Sequence, residues 1–168
     1  NTLKYFNIKK GIEVITSADI PSSGSGLGSS SALTVGLSNA INKFLTNKSV
    51  GKVLLSKQAC EIEIERCKKP IGMQDQFSTA YGGLNTIIFK KNNSIVVKKV
   101  NISRLRRRTF EKNLMLFYSG INRSADHILG SIKKSGKRFI NYEKLSNLAK
   151  NFEHELINGN LDNLGEIL

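Results

Sequence analysis

Apolar positions along the chain switch between two periods. Ile12, Val14 and Thr16 alternate with polar neighbours, which predicts a strand; residues 1–8, with Leu3 and Phe6 apolar, read as the end of a helix. From Ser31 the spacing becomes helical, with Leu33, Leu37, Ala40, Ile41 and Phe44 on one face. A second helix is predicted from about Gly51 to Cys67, carrying Leu54, Leu55, Ala59 and Ile62, and Pro70 and Gly72 break it. Residues 73–80 read as a short helix. Gly82-Gly83 then opens a hairpin of Leu84–Phe89 and Ser94–Ile102, joined through Lys91-Asn92-Asn93. Leu114–Tyr118 is apolar and short enough for a buried strand, and Arg123–Ser135, Asn141–Ile157 and a stretch from Leu161 read as helices.

That order predicts an α+β domain followed by a mainly helical second unit, with the boundary placed near residue 125, giving segments 1–125 and 126–168. Hydrophobic residues make up 39% of 168, enough for a real core. No apolar run reaches the roughly 18 residues of a bilayer span, and the N-terminus lacks the order of a signal peptide, so no membrane partner and a cytoplasmic location are expected. Cys60 and Cys67, too few for a disulfide framework, read as two buried thiols. A formal net charge of +13 favours anionic partners. The densest run, Arg104 to Arg108, has no interleaved aromatics of the kind that stack on bases, so it reads as a solvated basic loop and nucleic acid is not the expected partner.

Chemistry concentrates in Pro21-Ser22-Ser23-Gly24-Ser25-Gly26-Leu27-Gly28-Ser29-Ser30-Ser31, between the predicted strand and the first amphipathic helix. Glycines let a backbone approach a ligand closely, and a helix N-terminus presents unpaired N–H groups to a phosphate. The serines can cap the helix or face phosphates and a cation. The loop lacks the Gly-Lys-Ser/Thr ending of a Walker loop and the spacing of a dinucleotide fingerprint. Carboxylates follow. Glu61 and Glu65 of Glu61-Ile62-Glu63-Ile64-Glu65 share a helix face while Glu63 points elsewhere, and Asp75 lies ten residues after Glu65 in Ile71-Gly72-Met73-Gln74-Asp75-Gln76. Phosphoryl transfer needs a metal to neutralise phosphates and a group to orient the attacking hydroxyl, and two such carboxylates can supply them.

Pro21 followed by Gly26-Leu27-Gly28-Ser29-Ser30-Ser31-Ala32 resembles the signature ATP loop of the GHMP kinases, with one additional residue between Pro21 and Gly26. The resemblance implies the family's N-terminal domain, with its left-handed βαβ unit, plus the helical start of its second domain. It implies ATP and Mg2+ as cofactors. Pro21, Gly24, Ser25, Gly26, Leu27, Gly28, Ser29, Ser30 and Ser31 would cradle the nucleotide, Glu65 and Ser30 (or its neighbour Ser29) would hold the metal, and Asp75 would be the catalytic base.

Pro70 to Gln76, Tyr81-Gly82-Gly83-Leu84-Asn85 and Leu116 to Arg123 look most like the heptose 7-phosphate kinase branch, with the L-fucose kinases next. The implied partner is a small sugar or sugar phosphate, contacted by Gly72, Gln74 and Arg123; for Arg123 a phosphate contact and a structural salt bridge stand equally. The family's first and third motifs do not occur, so a partial chain is expected. Two alternatives stand beside this reading: another GHMP kinase acting on fucose, galactose or mevalonate, and a basic nucleic-acid-binding module on a similar βαβ unit. His127 and His154 read as surface or packing residues, with no zinc spacing around them, and no Gly-x-Ser-x-Gly elbow supports serine acyl transfer.

Overall fold

The structure, a computed structural model, describes residues 1–19, 26–117 and 138–168, with only the backbone for 138–141. It divides into two compact units, the described parts of which are residues 1–19 with 26–83 and residues 84–117 with 138–168. The expected boundary near residue 125 and the helix expected over Arg123–Ser135 lie outside the described residues.

The first unit is helical. Helix α1 (Thr2–Tyr5) is followed by α2 (Ser29–Thr46), α3 (Lys52–Cys60) running into a π-helical segment (Glu61–Arg66), and α4 (Gln74–Tyr81). Residues 12–18 are irregular rather than the expected strand: a strand needs a hydrogen-bonding neighbour, and none of the described segments pairs with it, leaving Ile15 85% exposed.

The face that α2 buries also differs from the one predicted. Ser31, Thr34, Val35, Ser38, Ile41 and Asn42 are buried, whereas Leu33 and Phe44 are exposed. Small side chains let α2, α3 and α4 pack closely around Val35, Leu55 and Ala59. The polar members of the row are bonded, with Asn42 Nδ2 donating to Gln58 Oε1 at 2.9 Å and to the Ser38 carbonyl at 2.8 Å. Apolar Leu33, Leu37 and Phe44 instead line an open trough beside residues 12–18. Lys52 closes the α4 end, donating to the Tyr81 carbonyl at 2.7 Å. Neither thiol is bonded to another cysteine; Cys60 is buried as expected, while Cys67 is only half-buried and accepts a hydrogen bond from Asn1 Nδ2 at 3.1 Å. Burial, with Glu63 nearby, pushes the Cys60 thiol up to about 11, so it stays protonated at neutral pH.

The second unit opens with the hairpin. β1 (Asn85–Phe89) pairs antiparallel with β2 (Ile95–Lys99) in the register Ile87 to Val97. Its turn is set by Asn93 at φ +60°, where asparagine is tolerated, and by Asn92 Oδ1 accepting from the Ser94 amide at 3.1 Å. Helices α5 (Arg104–Lys112), α6 (Arg138–Ile157) and α7 (Asn163–Ile167) follow. Val100, Leu156 and Leu164 form the core, joined by Phe110 and Phe152 edge to face at 6.3 Å. Residues 114–117 form no strand and are exposed; Tyr118 lies outside the described residues.

The basic run is a helix, not the solvated loop expected. Ser103 caps α5, accepting from the Arg106 amide at 3.1 Å. Arg106 then inserts its guanidinium at the C-terminus of α6, donating to the carbonyls of Leu156 and Glu155 at 2.7 Å each and of Gly159 at 2.5 Å. One cation at the negative end of the helix dipole thus serves three carbonyls in and just after its last turn, that of Glu155 also accepting from the Gly159 amide at 3.1 Å. Arg106→Met should remove charge-assisted bonds worth about 1.5–3 kcal/mol and lower the apparent Tm by roughly 3–10 °C. Arg107→Met, which breaks only the exposed pair with Glu111, should cost under about 1 kcal/mol. Thermal melts of the two variants check the contrast.

Candidate active site

The described end of the Gly-rich loop enters α2 through two left-handed glycines, Gly26 at φ +70° and Gly28 at φ +68°. Gly28 is the N-cap of α2, which carries no side-chain cap, so the serines beneath it are used elsewhere. The helix therefore begins with its positive dipole end and first amides turned toward the loop.

Ser30 Oγ donates to Glu63 Oε1 at 2.5 Å, and Ser31 Oγ donates to Glu63 Oε2 at 2.6 Å. Gln76 Nε2 also donates to Oε2, at 2.7 Å, and Lys69 Nζ reaches Oε1 at 3.1 Å and Ser30 Oγ at 2.5 Å. Glu63 is 1% exposed, and α2, the π-helical segment, the turn before α4 and α4 itself meet on its carboxylate. Burial raises its pKa, but the bonds from Ser30, Ser31, Gln76 and Lys69 outweigh that and hold it below the ordinary glutamate value. Gln76 must turn its amide nitrogen to the carboxylate, because only that end can donate; its Oε1 is left buried without a partner among the described residues.

Glu65, expected to face the metal, is exposed, and Glu63 occupies the inner position. The register explains this. Cys67 N bonds the Ile62 carbonyl at 2.9 Å, an i→i+5 closure that widens the helix after Cys60. Ile62 and Glu63 both point inward, while Glu61 faces outward to pair with Arg66 at 3.1 Å. A signal was available in the chain: Leu55, Ala59 and Glu63 are spaced four apart, so Glu63 continues the buried row.

Asp75 lies in the first turn of α4, exposed, with its carboxyl against Gly28: a Cβ built on Gly28 would stand 3.5 Å from Asp75 Oδ2. Asp75 thus faces the loop at the entrance to α2, with Gln74 beside it and Gly72 in the preceding turn, both exposed. Leu27 is 49% exposed at the loop's end. Pro21, Gly24, Ser25 and Arg123 lie outside the described residues. The site therefore joins an uncapped helix end, a buried carboxylate with hydroxyl, amide and ammonium partners, and an open carboxylate. Among the described residues no three His, Cys, Asp or Glu side chains form a metal cluster.

An uncapped helix end behind left-handed glycines is the kind of backbone arrangement that suits an anion, and two carboxylates stand beside it. Residues 1–83 match the GHMP kinases N terminal domain, and the chain belongs to that family through them. A D-glycero-alpha-D-manno-heptose 7-phosphate kinase from Campylobacter jejuni is 36% identical over 113 residues, 67% of this chain and 33% of that protein. A galactokinase from Thermotoga petrophila is 29% identical over 94% of this chain and 42% of its own length. A crystal structure of a D-glycero-D-manno-heptose 1-phosphate kinase from Bacteroides thetaiotaomicron superposes with a TM-score of 0.71 at 26% identity, over 89% of this chain and 43% of that one. The chain thus spans a third to about two fifths of the curated relatives it matches.

The lowered pKa of Glu63 has a consequence for stability. Its carboxylate is bonded only in the fold, so the folded chain resists protonation more than the unfolded one. The stability it lends is complete above the ordinary value of 4.5 and is lost as pH falls below it through the folded-state value. Denaturant titrations from pH 7 to pH 3 should show this acid loss in the parent. Glu63→Gln should be less stable at pH 7, by about 1.5–3 kcal/mol for the lost charge-assisted bonds, with a flatter acid limb.

Proposed function

We propose that this chain is part of an ATP-dependent sugar kinase that transfers the γ-phosphate to a sugar hydroxyl, with the anomeric hydroxyl of D-glycero-D-manno-heptose 7-phosphate as the acceptor. The observation that carries the reading is the Asp75 carboxyl against Gly28, at the mouth of the helix end that suits phosphates. The names of the Campylobacter jejuni and Bacteroides thetaiotaomicron relatives support a heptose phosphate acceptor.

In this reading Gly26, Leu27, Gly28 and the serines at the start of α2 bind nucleotide phosphates through backbone amides, with Pro21, Gly24 and Ser25 completing the loop. Left-handed φ at Gly26 and Gly28 keeps the loop's path open to glycine alone. Asp75 accepts the proton of the attacking hydroxyl, and Gly72, Gln74 and Arg123 contact the sugar. The donor set fits Mg2+: Glu63 Oε1 and Ser30 Oγ are hard oxygen ligands side by side, already holding a cation, while Oε2 is fixed by Ser31 and Gln76. Glu63 thus takes the metal role that the resemblance implied for Glu65. Mg2+ bound there would neutralise charge on the phosphates.

The test is ATP-dependent phosphorylation of heptose 7-phosphate, with D-galactose and L-fucose as comparison acceptors, using the intact protein. Asp75→Asn should lower kcat by about 10²–10⁴ with ATP affinity nearly unchanged. A protein that phosphorylates none of the three sugars would refute the reading, and full turnover by Asp75→Asn would remove Asp75 as the base.

A further inference from the structure

Lys69 is absent from every role assigned so far, yet it makes the closest cationic contact in the site. Its Nζ lies 2.5 Å from Ser30 Oγ and 3.1 Å from Glu63 Oε1. The Glu63 carboxylate is divided between two kinds of partner. Oε2 is held by the neutral donors Ser31 and Gln76, whereas Oε1 is held by Ser30 and the Lys69 ammonium. We propose that Lys69 is a built-in counter-cation that occupies the metal-binding face of Glu63 and Ser30, and that a divalent cation arriving with nucleotide must displace it. This inference rests on the reading of Glu63 and Ser30 as the metal-facing pair.

Three observations carry it. The backbone around Lys69 is fixed: its amide donates to the Glu63 carbonyl at 3.1 Å, and the preceding Lys68 has φ +56°, a turn that directs the next residue back over the π-helical segment. The side chain, by contrast, is free to leave, since it is 31% exposed while that of Glu63 is 2% exposed. Lysine suits the role because its ammonium is a compact point charge on a flexible four-carbon stem, able to withdraw without moving the backbone. Mg2+ binds oxygen at about 2.0–2.1 Å, so a divalent ion and an ammonium cannot both sit on Oε1 and Ser30 Oγ without strong repulsion.

Two consequences follow for nucleotide. Without metal, Lys69 balances the buried Glu63 and leaves positive charge near the phosphates, so metal-free nucleotide binds better than it would on an unbalanced carboxylate. With metal, part of the binding free energy goes into moving the ammonium aside. Both effects shrink the advantage of the metal–nucleotide complex over nucleotide alone, and removing the ammonium should widen it.

The experiment measures ADP affinity calorimetrically in the intact protein, with and without Mn2+, and takes the ratio of the two dissociation constants as the metal effect. In Lys69→Met the ratio should rise by about tenfold, within the range usual for coupled sites. Lys69→Arg, which keeps the charge, should stay near the parent. Lys69→Gln can still donate to Glu63 and Ser30, and should rise as Lys69→Met does, which covers the case where the apolar variant folds poorly. A ratio that stays the same or falls in both neutral variants overturns the proposal and leaves Lys69 as a structural ion-pair partner, a role that changes melting temperature but not metal coupling. Glu63→Gln separates the two readings: if the Mn2+ effect persists in that variant, the metal does not use Glu63, and the assignment of the metal-facing pair fails first.

Discussion

A carboxylate buried to 1% exposure has to be surrounded by donors, and Glu63 draws them from separate stretches of chain. Ser30 and Ser31 come from the first turn of α2, Lys69 from the turn after the π-helical segment, and Gln76 from α4. Each element supplies part of the pairing of this charge, so the Glu63 network ties the entry of the Gly-rich loop into α2 to the helix that carries Asp75. The same bonds explain why the serines do not cap α2: their hydroxyls face inward, and the helix end stays open.

Packing in the first unit follows from that polar arrangement. α2 buries a row of small and hydrogen-bonding residues against α3 and α4, and its large apolar residues lie outside the row. Close approach of helices favours small side chains, and each buried polar group then needs a partner, as Asn42 finds in Gln58. In the second unit a charged side chain does comparable work: Arg106 gathers the last carbonyls of α6, tying α5 to it beside the Phe110–Phe152 contact.

The two carboxylates of the site have opposite environments. Glu63 is buried, multiply bonded and held ionised, which suits a fixed ligand, whereas Asp75 is exposed and faces the loop, which suits a group that meets substrate.

Motif and local period were enough to locate the Gly-rich loop, Asp75, the hairpin and most helices, because glycine runs, turn asparagines and helical spacing act over a few residues. The sequence also held Glu63 on the row of Leu55 and Ala59, but an ideal helix could not reveal the i→i+5 closure that turns Ile62 and Glu63 inward together. Tertiary structure alone decided the rest. The buried face of α2 depends on how closely α3 and α4 approach, the helical state of Arg104 to Arg108 on the carbonyls that Arg106 reaches, and the position of Lys69 on a carboxylate six residues earlier in the chain. In each case the deciding partner lies beyond the local window, and a side chain's role is set by the group it meets in space rather than by its neighbours in sequence.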